Sequence, residues 1–236
     1  MSKKKIRSTL VILTRNEIIG MKALIKKIPF DQVDEVFVID YNSTDGTKKF
    51  VKKNKIRLIN QVKPGRGEAF RLAVKLAKGN HLVFFSPDGN ENPQDIPRLL
   101  KLLAQGADLA IASRFLPKSR NEEDDQVFKF RAWANKGFTW LANLLWRGKL
   151  SDSINGYRAI TKSAFKRLKL DAPGYMIEYQ MSIRALKLKL KIVEISTLEG
   201  ERIGGQSGSK AIPTGLLFVK FLLREIILGS RFKKHV

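Results

Sequence analysis

The chain has 236 residues, of which 43% are apolar, and it contains no cysteine. The apolar share supports a sizeable core and excludes wholesale disorder, and the length allows one large domain or two small ones. Without cysteine, disulfide scaffolds, thiolate metal sites and cysteine nucleophiles are excluded. Lysine and arginine total 45 against 22 acidic residues, a net charge of +23, which indicates an anionic partner: nucleic acid, a membrane surface or a phosphorylated small molecule.

The N-terminal segment carries three lysines, residues 3–5, ahead of a short apolar run at residues 10–13. That run is too short for a signal-peptide core and far too short to span a bilayer. We therefore expect a cytoplasmic location, with the apolar run as a buried first strand. The lysines are interpreted as a solvated lead-in rather than a specific anion site.

Strand and helix patterns alternate through the first half of the chain. Apolar, β-rich runs predict five strands, at residues 9–13, 36–39, 56–59, 82–85 and 108–115. Helical spacing predicts the helices between them, at residues 16–28, 44–53, 68–78 and 96–105. Since the strands are continuously apolar, as strands buried on both faces are, the order predicts an α/β fold with a mostly parallel sheet flanked by helices.

The second half is predicted to be mainly helical, with short strands near residues 154–160 and 192–195. It follows a polar stretch, residues 116–125, that we expect to form an exposed or mobile loop. We expect one domain over residues 1–210. The remaining residues, 211–236, are predicted to form a C-terminal amphipathic segment.

The C-terminal segment combines bulky apolar residues with Lys220 and Arg224, which share one helical face. This pattern predicts an amphipathic helix. A transmembrane helix is not expected, because no uninterrupted apolar stretch reaches the roughly 18 residues that spanning requires. Two interpretations stay open: a helix packed on the domain, and a helix lying in the interface of an anionic membrane.

Polar residues follow three predicted strands at the carboxyl ends, where open α/β sheets bind their ligands. They come after the first, second and fourth strands: Thr14, Asn16, Glu17, Asp40, Asn42, Ser43, Ser86, Asp88 and Asn90. Because three separate strands contribute, the pattern predicts a binding site at this edge of the sheet. Asp88 and Asn90, with Glu91 nearby, offer hard oxygen ligands that suit Mg²⁺ or Mn²⁺ bridging the protein to a diphosphate.

Two aspartates near this edge have a structural alternative. Asp40 is a candidate acceptor of hydrogen bonds from a base or a ribose, and turn chemistry is its alternative role. For Asp45 we favour the turn interpretation, an Asx turn or a helix N-cap. The tripeptide Gly-Arg-Gly at residues 65–67 opens a predicted helix, but Phe70 leaves the dinucleotide-binding fingerprint incomplete.

Seven motifs, taken in order, carry a resemblance to a known family. Five resemble those of family 2 glycosyltransferases with the GT-A fold: Ile-Leu-Thr-Arg-Asn-Glu (12–17), Val-Ile-Asp-Tyr-Asn-Ser-Thr-Asp-Gly-Thr (38–47), Gly-Arg-Gly-Glu-Ala (65–69), Ser-Pro-Asp-Gly-Asn (86–90) and Ala-Ser-Arg-Phe (112–115). Two more are similar to the dolichyl-phosphate mannose synthase branch: Asp-Ser-Ile-Asn-Gly-Tyr-Arg (152–158) and Arg-Ile-Gly-Gly-Gln-Ser (202–207). That branch transfers a sugar from a nucleotide donor to a polyprenyl phosphate, and the resemblance covers about residues 6–210.

The resemblance implies a role for individual residues. The donor-binding residues would be Thr14, Asn16, Glu17, Asp40, Asn42, Ser86 and Asp88. The residues that bind phosphates of donor or acceptor would be Arg114, Arg131, Arg202 and Ser207. Asp88 and Asn90 would hold the divalent cation, Mg²⁺ or Mn²⁺, and Asp88 and Arg202 would act in catalysis.

The sequence departs from the family pattern at three positions. Ser86 takes the place of the first acid of the metal-binding Asp-x-Asp, and Tyr41 takes the place of the second residue of an Asp-Asp pair. The family's usual glutamate falls on Gln180, with Glu178 two residues earlier. Losing one carboxylate is expected to weaken the metal site without abolishing it, because diphosphate oxygens supply ligands too.

The two classes of acceptor make different demands on such a site. A hydroxyl must lose a proton to a positioned base, whereas a phosphate monoester is largely dianionic at neutral pH and needs only alignment and cations. The arginine-rich pattern therefore favours the polyprenyl phosphate. Three alternatives stay open: a transferase acting on a saccharide hydroxyl, with Glu178 or Asp152 as base; a non-catalytic family member; and a basic nucleic-acid-binding protein. Because no nucleic-acid-reading module is recognised, nucleic acid is not expected as a partner.

The expected partners are a nucleotide-diphosphate sugar, a polyprenyl phosphate and an anionic membrane surface, with the chain peripheral on the cytoplasmic face.

Aromatic residues interleave with basic ones over residues 128–147: Phe128, Phe130, Trp133, Trp140 and Trp146. Trp133 and Trp140 are seven residues apart and share a helix face. We predict that they pack in the core; the alternative is an interfacial belt that admits the lipid tail.

Overall fold

The structure, a computed structural model, describes residues 8–123, 130–204 and 211–234. Within these ranges the strands are β1 (Ser8–Thr14), β2 (Glu35–Asp40), β3 (Arg57–Asn60), β4 (His81–Phe85), β5 (Leu109–Ser113), β6 (Arg158–Thr161) and β7 (Ile192–Ser196). The α-helices are α1 (Ile18–Leu24), α2 (Thr47–Lys53), α3 (Arg66–Leu76), α4 (Asp95–Ala104), α5 (Phe130–Trp146), α6 (Lys162–Leu168), α7 (Met176–Lys187) and α8 (Ala211–Leu228). Short 3₁₀ turns lie at Ile25–Lys27, Phe30–Gln32 and Arg231–Lys234.

The strands form one sheet in the order β3-β2-β1-β4-β6-β5-β7. β1 pairs in parallel with β2 and β4, β2 with β3, and β5 with β7. β6 runs antiparallel between β4 and β5. The predicted α/β fold with a mostly parallel sheet is therefore confirmed. This order brings the carboxyl ends of β2, β1 and β4 side by side, so the loops that follow them share one edge.

The central strands are apolar on both faces because helices cover both. Val11 belongs to one buried cluster, whereas its neighbours Leu10 and Ile12 belong to another on the opposite face. α3 contributes Phe70 to the first cluster, where its ring stacks on that of Phe84, and α4 covers the second. The sheet thus forms the middle of three layers.

Two helices begin later than their apolar spacing predicts. α1 starts two residues after Asn16, which adopts a left-handed φ of 57°, and α2 starts after Gly46, whose φ is 99°. Both turns lie beyond the carboxyl ends of strands, where they shape the site. The prediction of a wholly exposed loop at residues 116–125 is wrong for Asn121 and Glu123, which are buried; residues 124 and 125 lie outside the described ranges.

α8 packs against α7 through a buried ionic cluster. Glu225 is fully buried and accepts hydrogen bonds from Arg184 Nη2 at 2.9 Å, Lys187 Nζ at 2.9 Å and Gln180 Nε2 at 3.1 Å. Buried apolar residues of α8, among them Phe218, complete the contact. The opposite side of α8 is apolar and exposed: Leu216, Leu217, Val219, Leu223, Ile226 and Ile227. One face of α8 therefore packs on the domain, and the interfacial interpretation of the exposed face stays a prediction.

We expect Glu225→Ala to lower the free energy of unfolding by about 3 kcal/mol or more, because Arg184 and Lys187 would remain buried without their counter-ion. Burial raises the pKa of Glu225, but the hydrogen bonds from Arg184 and Lys187 outweigh it and hold the pKa below its ordinary value of 4.5. The stabilisation is therefore present above about pH 4.5 and lost as pH falls through the lowered pKa. Urea unfolding at pH 7 and at lower pH measures both effects.

The matched control for this measurement is Asp31→Ala, which removes an exposed acid far from α8. We expect it to change the free energy of unfolding by less than about 0.5 kcal/mol. Equal stability of the Glu225 and Asp31 variants at pH 7 would contradict the importance of the buried cluster.

Candidate active site

A cavity of about 300 Å³ opens at the carboxyl edge of the sheet. Its walls come from the loops after β4, β5 and β7, the beginnings of α3 and α7, and the facing sides of α5 and α8. Its charged or polar lining includes Arg66, Asp88, Asn90, Arg114, Glu178 and Arg202. Segments separated by more than a hundred residues therefore converge on one space, but of the three strand ends in the predicted pattern only the loop after β4 lines it.

Asp40, at the end of β2, links the ends of β1 and β2 through hydrogen bonds, next to this cavity. It is fully buried, accepts hydrogen bonds from Thr14 Oγ1 at 2.8 Å and from the backbone N–H of Ser43 at 3.0 Å, and lies 3.7 Å from Lys48 Nζ. These contacts fix the ends of β1 and β2 against each other. The donor-binding role implied for Thr14 and Asp40 stays a prediction, since neither residue lines the cavity.

The β1 and β2 loops are tied together by further side-chain bonds. Asn16 donates its backbone N–H to Ser43 Oγ and accepts from the backbone N–H of Thr44, both at 2.8 Å. Asp45 accepts from Thr47 and from the backbone N–H of Ile18. The turn interpretation of Asp45 is thereby confirmed.

Asn42 lies in the same junction, with a left-handed φ of 51°. Like Asn16, it belongs to the braced loops and not to the lining of the cavity. The donor-binding role implied for both asparagines stays a prediction.

Arg202, in the segment after β7, bridges two carboxylates at the cavity. It donates through Nη1 to Asp88 at 2.9 Å and through Nη2 to Glu17 at 3.0 Å. Its Nε donates to the carbonyl oxygen of Gly204 at 3.0 Å. Asp88 and Arg202, the two residues implied to act in catalysis, are therefore in direct contact, and Glu17 joins them, whereas Asp40 does not line the cavity.

The acids around Arg202 hold their protons more tightly than usual. Burial raises the pKa of Glu17 to about 7, with Arg202 opposing the rise and Asp88 adding to it. Burial also raises the pKa of Asp88, against the opposing charge of Arg202. Glu91, whose Oε2 accepts from the backbone N–H of Ser86 at 2.7 Å, has its pKa raised well above the ordinary value for the same reason. Crowded, partly buried acids of this kind favour positive ligands.

The residues at the edge fit a divalent cation whose coordination a ligand completes. Within the described part of the chain, no group of three acidic or histidine side chains could hold a metal ion by itself. Asp88 does present a carboxylate, and the buried Oδ1 of Asn90 has no hydrogen-bond partner among the described residues. Because Mg²⁺ is commonly held by one or two protein oxygens plus phosphates and water, two such donors suffice.

Ser86 and its partner Arg66 form a contact that the sequence did not indicate. Arg66 Nη1 donates to Ser86 Oγ at 3.1 Å, and Arg66 Nε donates to Glu178 Oε1. A guanidinium thus stands beside the position where the family pattern places the first acid. The sequence signals were the Gly-Arg-Gly tripeptide and the departure at Ser86, but nothing in the pattern joined them to Glu178.

Arg114 forms a bidentate ion pair with Asp152. Its Nε and Nη2 donate to the two carboxylate oxygens at 2.7 and 3.1 Å, and Asp152 is fully buried. Burial raises the pKa of Asp152, but Arg114 outweighs that effect and holds the pKa below its ordinary value. Asp152 is therefore the counter-ion of Arg114, and it does not line the cavity. The phosphate-binding role implied for Arg114 stays a prediction.

Arg131 lines the cavity from α5 with its side chain 40% exposed, and its Nη1 lies 3.8 Å from Glu122. Ser207, the remaining residue implied to bind phosphate, lies outside the described ranges. Gln180 contacts Asp171 and Glu225 on the far side of α7. Its departure from the family pattern therefore affects the packing of α8 and not the lining of the cavity.

The prediction that Trp133 and Trp140 pack in the core is wrong. They are 58% and 61% exposed on the outer face of α5, where Leu144 and Leu145 are also exposed. Helical spacing shows that the two indoles share a face but does not show which face is buried. Trp146 is partly buried and packs against an apolar cluster formed by α5, α7 and α8. The structure does not describe the side chains of Phe128 and Phe130.

Comparison with known proteins identifies the family. Residues 9–169, more than half of the chain, match the family described as Glycosyl transferase family 2. The chain belongs to glycosyl transferase family 2. The resemblance that the sequence motifs carry is thereby confirmed.

Named relatives of this family 2 chain support the predicted branch. An undecaprenyl-phosphate mannosyltransferase of Micrococcus luteus is 29% identical over 84% of this chain and 85% of the relative. A polyprenol monophosphomannose synthase of Mycolicibacterium smegmatis is 26% identical over 85% of this chain and 80% of the relative. Glycosyltransferase AglJ of Haloferax volcanii is 27% identical over 69% of this chain, which spans only 52% of that longer protein.

The fold is shared with a solved structure of a different named enzyme. Glucosyl-3-phosphoglycerate synthase from Mycobacterium tuberculosis, crystallised with Mn²⁺, UDP-glucose and phosphoglyceric acid, superposes with a TM-score of 0.72. It is 22% identical, and the match covers 93% of this chain and 79% of that one. At that identity the likeness shows the fold alone, and it confirms the predicted GT-A architecture.

Glu199 provides a test of the electrostatics of the cavity. Burial raises its pKa to about 7, against the opposing charge of Arg114. Because the folded state holds this proton more tightly than the unfolded state, the contribution of Glu199 to stability falls as pH rises from about 4.5 to about 7. We expect Glu199→Gln to gain stability relative to the unaltered chain between pH 5 and pH 8, measured by urea unfolding. Glu68→Gln, at a half-exposed pair with Arg71, is the control, and a pH-independent difference for Glu199→Gln would contradict the assignment.

Proposed function

We propose that this glycosyltransferase moves a hexose from a nucleotide-diphosphate sugar to a polyprenyl phosphate at the cytoplasmic face of a membrane. The observation that carries the proposal is a cavity with two unlike parts. Arg202, Asp88 and Asn90, which contact one another, form one part of its lining, whereas the packed rings of Phe138 and Phe218 form another. The apolar part is built by α5 and α8, the two helices whose outer faces expose large apolar side chains. The relatives named as polyprenyl-phosphate mannosyltransferases support the same acceptor class.

The ionic part suits the donor diphosphate. Arg202 would bind phosphate oxygens with its planar fork, and Asp88 and Asn90 would hold Mg²⁺ or Mn²⁺ against them. When bound, the cation supplies neutralisation of the charge that develops on the departing diphosphate. Arg66, beside Ser86, adds a second fixed positive charge at the same edge.

The transfer needs no proton to be removed from the acceptor. An oxygen of the acceptor phosphate attacks the anomeric carbon, and the bond from that carbon to the diphosphate oxygen breaks. The nucleoside diphosphate leaves with the bonding electrons. Since the phosphate monoester is already largely dianionic at neutral pH, the protein has to align two anions and hold them together. Arg114 and Arg131, at the side of the cavity nearest α5, are the proposed acceptor ligands.

The C-terminal segment, residues 211–236, and α5 would place the cavity at the lipid. A groove of about 890 Å³ on α8 is lined by apolar residues and by Lys220, Arg224 and Arg231. Apolar side chains beside cations are typical of helices that lie in an anionic membrane interface. Within the ranges that the structure describes, no helix has the length and apolar character needed to cross a bilayer.

The enzymatic proposal is tested by incubating the chain with UDP- and GDP-hexoses, Mg²⁺ or Mn²⁺ and a polyprenyl phosphate, and weighing the extracted lipid. We expect a mass increase of one hexose. Arg202→Gln should lower kcat/KM by roughly 10- to 100-fold, because a charged hydrogen bond contributes about 1.5–3 kcal/mol. Arg57→Gln, on the exposed edge strand, should leave transfer unchanged. A soluble saccharide as the sole acceptor, or full activity of Arg202→Gln, would contradict the proposal.

Membrane contact is tested by flotation with vesicles of phosphatidylcholine and an anionic phospholipid. Replacing both Trp133 and Trp140 with alanine should weaken binding by roughly tenfold or more, because each indole would otherwise bury apolar surface in the interface. Val62→Ala removes another exposed apolar side chain, outside α5 and α8, and should bind as the unaltered chain does. Unchanged flotation of the double variant would exclude this face as the contact.

A further inference from the structure

Glu178, which forms an ion pair with Arg66 at the cavity, has no part in the mechanism proposed above. Arg66, the first residue of α3, donates to Glu178 Oε1 in the first turn of α7. The exposed fractions of the two side chains are 18% and 3%. Arg66 also donates to Ser86 Oγ, so the pair lies beside the loop that carries Asp88. Both residues line the cavity.

The second oxygen of this carboxylate is unused. Glu178 Oε2 is buried and has no hydrogen-bond partner within the described residues. Leaving a buried acceptor unsatisfied costs about 1–3 kcal/mol, and more for a charged group. Burial lowers the pKa of Arg66, but the charges of Glu178 and Glu91 outweigh it and raise the pKa, so Arg66 stays charged and fixes the orientation of Glu178. The free oxygen is therefore an acceptor without a partner among the described residues, on a side chain that lines the cavity.

A free carboxylate oxygen selects the chemistry of what binds there. It accepts a hydrogen bond from a hydroxyl group, and it repels the oxygens of a phosphate. The donor hexose is covalently linked to the diphosphate proposed to lie at Asp88, so its hydroxyls fall within this cavity. The acceptor phosphate is kept away from this corner by the same charge.

Gly156 shows how closely the pair is enclosed. A Cβ at this position would clash with Arg66 Nη2 and lie 3.2 Å from Glu178 Oε1. Any side chain there would displace the guanidinium, so the glycine leaves the room that the pair occupies. The pair is thus held by α3, by α7 and by the segment before β6.

We infer that Glu178, positioned by Arg66, is the hexose-recognition residue, whose Oε2 accepts a hydrogen bond from one hydroxyl of the donor sugar. The inference rests on the proposed function, because it takes a nucleotide-diphosphate hexose as donor. It assigns sugar specificity to a carboxylate outside the Asp88 loop. A donor that lacks this hydroxyl, or carries it in the opposite configuration, leaves the buried oxygen unpaired and binds weakly.

The test is calorimetric binding of a nucleoside diphosphate, of the matching nucleotide hexose and of its monodeoxy analogues, without acceptor, to the full chain. Glu178→Gln should weaken binding of the nucleotide hexose by about tenfold or more, while it should change the affinity for the nucleoside diphosphate by less than twofold. One monodeoxy analogue should bind the unaltered chain about tenfold more weakly than the parent sugar. Glu178→Gln should no longer distinguish that analogue from the parent. Glu68→Gln, at the other Arg–Glu pair of α3, should behave as the unaltered chain does.

The deoxy series needs no mutation, so it decides the matter even if Glu178→Gln does not fold. Equal binding of all deoxy analogues by the unaltered chain would overturn the inference. So would loss of turnover in Glu178→Gln with donor binding intact, because that pattern belongs to a catalytic base for a hydroxyl acceptor. Equal binding of the nucleotide sugar by Glu178→Gln and by the unaltered chain would overturn the inference but not the proposed function. Absence of any nucleotide or nucleotide sugar binding to the unaltered chain would overturn both.

Discussion

Arg202 donates to carboxylates from two different strands, Asp88 after β4 and Glu17 after β1. Through these bonds it draws the segment that follows β7 over the carboxyl edge of the sheet and closes one side of the cavity. The contact also compensates charge, since Glu17 and Asp88 are partly buried close to each other. In the proposed complex, Arg202 would bind diphosphate oxygens, and Asp88 would be one of the residues that hold the cation. One arginine thus links the shape of the site to its occupancy.

The chain is strongly basic overall, but its cavity is lined by acidic as well as basic residues. The net charge is +23, yet six acids line the cavity alongside four arginines: Asp88, Glu91, Glu122, Glu123, Glu178 and Glu199. The excess of basic residues lies largely outside it, where it suits an anionic surface, while the interior combines cations for phosphates with acceptors for a cation and for hydroxyls. Such a division fits an enzyme that brings a polar donor to a lipid acceptor better than it fits a nucleic-acid-binding surface.

The sheet and the strand-end site follow from local sequence patterns, because buried parallel strands are continuous apolar runs and their ligands lie at their carboxyl ends. The same patterns do not show long-range pairing. Arg66 and Glu178 are 112 residues apart, and neither residue's neighbours indicate the other. Periodicity places Trp133 and Trp140 on one face but leaves open whether that face is buried. Gln180 likewise has a long-range partner, Glu225, which α8 brings against it, in addition to the nearby Asp171.

The central claim is that this one cavity binds the activated sugar. A crystal structure of the chain with a nucleotide-diphosphate hexose and Mn²⁺ tests it most directly. The account predicts the diphosphate against Arg202, the cation at Asp88 and Asn90, and a sugar hydroxyl within hydrogen-bond distance of Glu178 Oε2. A nucleotide bound elsewhere, with Arg202 still joined to Asp88 and Glu17 over an empty cavity, would contradict it.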